Sequence, residues 1–252
     1  MIDYAGWLGS LDPMAFGRMA NAAETVLTVQ EALSNEQLSL LGELLRDEGE
    51  GPIRAWTHYP NADCRDPQSG AMFYYHAHDP DEWKRDEHGH FHLFFRPQAD
   101  GPFTHIMALS MNARGLPVGL FATNGWVTDE TMQSAEKVLQ QLDASWEINR
   151  ARPSWLVAQW LNAMVTLLRP HADELLRQRD RVIATGGAMD NTTNPVLMDR
   201  NIHVLSELPL ELPALLRSVQ EEAQKRFEPA NGTSVLPDFL CATSKPSNGV
   251  NG

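Results

Sequence analysis

The chain has 252 residues, 42% of them hydrophobic, which suits a globular protein with a sizeable core and excludes the composition of a disordered chain. Twenty basic against 33 acidic residues leave a net charge of −13, which excludes a general nucleic-acid binder or a protein held on anionic lipid, since both need clustered Lys and Arg. Cys64 and Cys241 are too few and too far apart for a disulfide scaffold. No apolar run approaches the ~20 residues of a bilayer span, and the N-terminus shows no basic segment before an apolar one. A cytoplasmic protein is therefore expected.

In chain order, residues 1–50 read as helical. Asp12-Pro13 makes a helix start with Pro in the first turn, and the segment to about Leu33 is rich in Ala, Met and Leu. Ser34 and Gln37 then have capping-box spacing ahead of Leu38, Leu41, Leu44 and Leu45, which predicts a second helix. The run from Asp47 to Pro52 ends it.

The character changes to strands over 54–125. Met72 to His78, His90 to Arg96, Thr104 to Met111 and Val118 to Thr123 are short, aromatic or β-branched and bounded by turn residues. Asn112-Ala113-Arg114-Gly115 makes a hairpin turn, and the polar stretch from Asp79 to Asp86 makes another.

Helix returns over 128–227. Thr128 is placed to cap a helix carrying Met132, Ala135, Leu139, Leu142 and Trp146, and Pro153 to start one with Leu156, Trp160, Met164 and Leu167 on a stripe. A third runs from His171 to Ile183. Asn201 to Ser206 reads as a further strand, and Glu211 to Phe227 as a last helix. From 228 to 252 Pro, Ser, Asn and Gly predict a disordered tail. The expected architecture is one α+β domain over 1–227: a central antiparallel meander of about four to five strands, flanked by N- and C-terminal helices on one face.

Seven of the nine histidines lie between His58 and His105. Residues i and i+2 of a strand share a face, so His76 and His78 point with Tyr74, while His88, His90 and His92 point together on the next strand. Phe91, Leu93 and Phe95 point oppositely, toward the helices. Antiparallel pairing would bring both histidine rows together, within ~5.5 Å at Cβ for cross-strand neighbours. Neutral imidazoles suit a divalent transition metal, iron or zinc foremost. His76, His78, His90, His92 and His105 are the candidate ligands, with His105 either a ligand or a group behind one. Glu87 and His88 are candidates for a further ligand or an acid/base group, and Tyr74 for a hydrogen bond into the same space. The competing reading is a solvated polar face. The order HxH, carboxylate, later His is an analogy to the metal motif of cupins in site type alone, because Glu87 comes too late and too few strands are present. His58 and Cys64 could form a nucleophile pair, although an ordinary thiol explains Cys64 more economically.

The segments His58-Tyr59-Pro60, Ser69-Gly70-Ala71, Tyr74-Tyr75-His76-Ala77-His78, Glu87-His88-Gly89-His90-Phe91-His92-Leu93-Phe94 and Trp126-Val127-Thr128-Asp129-Glu130 together resemble an uncharacterised bacterial domain family of unknown function. The resemblance spans most of the chain to about Ser206. It implies a single domain and transfers no mechanism.

The function expected from the residues is a metal-dependent enzyme acting on a small molecule, with oxidative chemistry, a mononuclear oxidoreductase, favoured over hydrolysis. The alternative is a non-catalytic accessory protein that holds a metal, haem or other ligand. The partner expected is a small-molecule substrate or ligand, with room for a protein partner or a second copy of the chain.

Overall fold

Period-two patterning governs the middle of the chain. Six strands, β1 (Tyr59–Arg65), β2 (Ala71–Ala77), β3 (Gly89–Phe95), β4 (Thr104–Met111), β5 (Pro117–Thr123) and β6 (Val204–Pro209), pair in sequence order, each antiparallel to the next. The computed structural model describes residues 2–47, 53–79 and 86–227. The tail at 228–252, most of the turn between Asp79 and Asp86, and most of the helix-ending run before Pro52 lie outside the described residues.

The α+β class and the meander hold, and the sheet is slightly larger than the four to five strands expected. The additional strand is β1, in which only Tyr59 and Cys64 are buried. Its sequence Tyr-Pro-Asn-Ala-Asp-Cys-Arg has a Pro and no apolar alternation, so it gives no strand signal. It pairs along one edge of β2 with an irregularity between Tyr59 and Cys64, a position that tolerates Pro.

Helices α1 (Tyr4–Ser10), α2 (Pro13–Asn35), α3 (Leu40–Leu44), α4 (Gly125–Thr128), α5 (Ala135–Ser145), α6 (Trp155–Leu167), α7 (Arg169–Ala184), α8 (Pro195–Met198) and α9 (Leu212–Phe227) complete the described chain. Asp12 caps α2 as its sequence predicts, accepting from the Met14 and Ala15 amides. Two caps differ from the prediction. α2 continues past Ser34, Gln37 turns with φ +57, and Ser39 rather than Ser34 caps the next helix. Ser134 rather than Thr128 caps α5, because Thr128 ends α4 and Asp129 reverses the chain with φ +55. In both places two cap-competent residues compete, and tertiary packing selects the later one. Among the described residues no helix is long and apolar enough to cross a membrane.

The sheet has two unlike faces. Phe73, Tyr75, Phe91, Leu93, Met107 and Leu109 are buried in the main core with α2, α6 and α7, and Phe91 lies 6.3 Å from the Trp160 ring of α6. The opposite face carries Tyr74, His76, His90, His92 and Phe94. Register fixes this: Tyr74 pairs with His92 and His76 with His90 across β2 and β3. On β4 the pairing slips by one residue, from Leu93↔Met107 to Phe94↔His105, leaving Ile106 as a bulge. Without that bulge His105 would share the helix-facing side with Met107. The extra residue turns it to the histidine face.

Gly89, at the start of β3, makes this hairpin fit. A Cβ there would collide with the His76 carbonyl oxygen and the Tyr75 hydroxyl, and would lie 2.8 Å from the Ala77 Cα. Gly17, in α2, would meet nothing within 4 Å. Denaturant unfolding should therefore show Gly89→Ala losing about 1–3 kcal/mol, while Gly17→Ala gains about 0.5–1 kcal/mol. A neutral Gly89→Ala would contradict this packing of β2 on β3.

Candidate metal centre

β2 and β3 present their side chains at a two-residue period, and antiparallel pairing makes two histidine rows one patch. The result is graded by depth. His78 is half-buried; His76, His90, His92 and His105 are 8%, 3%, 2% and 1% exposed. Among the described residues, one ligand nitrogen from each of His76, His78 and His90 falls within 4.8 Å of the others. The His76 and His78 Nε2 atoms are 3.2 Å apart. Two nitrogens bound to one tetrahedral zinc at about 2.0–2.1 Å would stand about 3.3 Å apart. The spacing suits two donors sharing an ion as well as it suits a hydrogen bond.

The other candidates stand behind this trio. Glu87 does not converge with it as a ligand. Its Oε1 accepts from His90 Nδ1 at 2.7 Å and its Oε2 accepts from the Ser110 hydroxyl at 2.7 Å. Burial by itself would raise the Glu87 pKa, but the His90 bond and charge, the Ser110 bond and the charge of His78 outweigh it and hold the group low. Glu87 is thus a carboxylate, and its bond to Nδ1 turns the other ring nitrogen of His90, Nε2, toward the neighbouring imidazoles. A carboxylate on the far nitrogen of a ligating histidine orients the ring and raises its basicity.

Polarity then propagates. A neutral imidazole has one N–H. If the His90 ring carries its one N–H at Nδ1 toward Glu87, its Nε2 accepts from His92 Nε2 at 2.9 Å. His92 Nδ1 accepts from His105 Nε2 at 3.0 Å, and His105 Nδ1 accepts from the Thr123 hydroxyl at 3.1 Å. His92 and His105 are therefore links in a buried chain that ends on Glu87. Behind them the Glu130 carboxyl accepts from the His105 backbone N–H at 2.6 Å.

His88 does not join the histidine face. It precedes β3, and its Nδ1 lies 2.7 Å from the Tyr75 hydroxyl on the helix-facing side. His88 lies one residue before β3 and keeps backbone bonds to His78 and Met111, but its ring turns to Tyr75 and not to His90. Tyr74 does lie in the patch, with its ring 5.0 Å from His92 and 5.8 Å from His76. Burial raises its hydroxyl pKa, with a further push from Asp63, so it is a neutral donor. His58 stacks on Tyr74 at 3.7 Å and 8°, and its Nδ1 is 2.9 Å from Asp63. Trp56 stacks on His78 at 4.6 Å. Phe121 of β5 closes edge-on over His90 at 4.7 Å. Trp56 and Phe121 carry no sequence signal for this site, because only the folded sheet brings them to it. Cys64 is an ordinary buried thiol: burial raises its pKa to about 11, and Sγ donates to the Arg152 carbonyl. A cavity of about 1840 Å³ lies on the helical side, around Tyr4, Trp7 and His171, away from the histidine patch.

Residues 20–210 match the family described as Domain of unknown function (DUF6969). The chain belongs to that family. No curated protein and no solved structure matches it. The matched segment contains every strand of the sheet and every histidine of the patch.

Desolvation sets the protonation states. Burial, then the neighbouring imidazoles, holds His76 down to about 2 and His92 well below its ordinary value. Burial, then the Arg179 charge, holds His105 down to about 3. These groups are neutral when folded and titrate near 6.5 when unfolded, so the stability they contribute is present above about pH 6.5 and lost as pH falls. Glu130, raised by burial to about 7, has the opposite sign: its contribution is lost as pH rises through that range. Outside the patch, burial also lowers His171, to about 4, and His88, and both act in the same sense as the three histidines, against Glu130. The urea midpoint of the metal-free protein should fall between pH 7.5 and pH 5, and a flat or rising midpoint would contradict a buried neutral cluster.

Proposed function

We propose that His76, His78 and His90 bind one divalent transition metal, iron or zinc, and that the protein uses it as an enzyme acting on a small molecule. The observation that carries this reading is the convergence of three imidazole nitrogens within 4.8 Å, with the Glu87 carboxylate already seated on the far nitrogen of His90. Two Nε2 atoms 3.2 Å apart repel unless a proton or a cation stands between them.

Three neutral ligands leave the ion its full charge, and a fourth coordination position would then be open to water, O₂ or substrate. Oxidative chemistry is favoured over hydrolysis by a two-metal centre, because Glu87, the carboxylate beside the trio, has both oxygens engaged by His90 and Ser110. Cytoplasmic action on a small-molecule substrate, with a protein partner or second copy not needed to complete the site, completes the proposal.

One observation favours a second reading. His92 Nε2 is 2.9 Å from His90 Nε2, so a modest shift could make His92 a fourth ligand and close the site. Closed coordination would mean a structural or carrier role.

Elemental analysis of protein purified without added metal should find close to one equivalent of iron or zinc. Changing His76, His78 or His90 to Ala should abolish stoichiometric retention, and Glu87→Gln should weaken affinity about 10–100-fold. Full retention in the three alanine variants would sink the assignment. In the cobalt-substituted protein, azide should shift the visible bands if a position is open. Unchanged bands would favour the carrier.

A further inference from the structure

The metal reading above, on which this inference rests, leaves the substrate open, and a feature beside the trio bears on it. Trp56 is 59% exposed, although its indole is one of the largest apolar side chains in the molecule. Its backbone adopts φ +62, a conformation that bulky residues rarely take and that clusters at functional positions. The strained turn is pinned in place: Trp56 N–H donates to the Ala77 carbonyl at 3.0 Å, and Ala55 bridges Ala77 in parallel. This contact fixes the indole against the end of β2, beside the two histidines that flank Ala77.

The rings there form a shelf. The indole lies on His78 at 4.6 Å and 18°, with its centroid 5.5 Å from His76. His76 lies 23° from His78 and 25° from Tyr74, and His58 covers Tyr74 at 8°. Trp56 thus adjoins two of the three candidate ligands while much of its surface faces solvent. Holding His78 in place would need no such exposure, since a smaller ring could do it.

We propose that Trp56 is the specificity-determining platform of the site, and that the substrate carries a planar aromatic or heteroaromatic ring with oxygen donors that reach the metal. The donors bind the ion, and the ring lies against the part of the indole that His78 leaves uncovered, the indole being tilted 41° from His76. Stacked rings of this kind favour flat π faces over aliphatic chains.

Zinc-loaded full-length protein separates this from the alternatives with two probes. 4-Nitrocatechol has a ring and paired oxygens; acetohydroxamate has paired oxygens and no ring. Trp56→Ala should weaken 4-nitrocatechol at least about fivefold and acetohydroxamate less than about twofold, with Trp56→Phe restoring most of the loss. Zinc content should stay at the wild-type value in both variants. Equal losses for both probes would mean that Trp56 only braces His78, and would overturn the platform while leaving the metal. No loss for either probe, or no binding of 4-nitrocatechol to the zinc-loaded wild type, would overturn it too. Failure of the wild type to retain zinc would overturn the metal reading and this inference with it.

Discussion

The pairing of His76 with His90 across β2 and β3 is the constraint on which the rest depends. A strand has a side-chain period of two, so a slip of one residue would exchange the faces. Phe73 and Tyr75 would leave the core formed with α6 if β2 slipped, or Phe91 and Leu93 if β3 did, and that strand's histidines would enter it. The cost of exposing two large apolar side chains, each worth about 1.5–3 kcal/mol when buried, locks the register. The core thereby positions the site. Gly89 adds a steric lock, since any side chain there would strike β2.

Once the histidines are locked onto one face, their burial must be compensated. Buried imidazoles cannot remain charged without partners, and buried polar atoms need hydrogen bonds. The chain from Thr123 through His105, His92 and His90 to Glu87 satisfies both demands with neutral rings and one carboxylate. The same chain orients the His90 ring beside His76 and His78, the three imidazoles whose nitrogens lie close enough together that they could hold a metal.

Much of this was legible in the sequence, for physical reasons. Strong alternation in β2 and β3 makes the two faces readable, and with them the sharing of one patch by His76, His78, His90 and His92. Asp12-Pro13 marks the start of α2 because a cap and a fixed φ act locally. What escaped depends on nonlocal packing. β1 is a strand only because β2 offers it an edge. His105 reaches the patch through a bulge at Ile106 that no local pattern encodes. His88 leaves it because its ring turns to Tyr75, and Glu87 turns from ligand to support because Ser110 of a third strand holds its second oxygen. Ser34 and Thr128 look like caps as well as Ser39 and Ser134 do, and only the surrounding fold separates them.

Three imidazoles on adjacent strands, on this proposal, converge on one ion. X-ray absorption at the metal edge of protein loaded with one equivalent of zinc tests it most directly. The expected first shell contains three imidazole nitrogens at about 2.0–2.1 Å, with imidazole scattering reduced or lost in the His78→Ala protein, which no longer retains the ion tightly. A shell of oxygens without imidazole scattering, or a spectrum unchanged by His78→Ala, would contradict it.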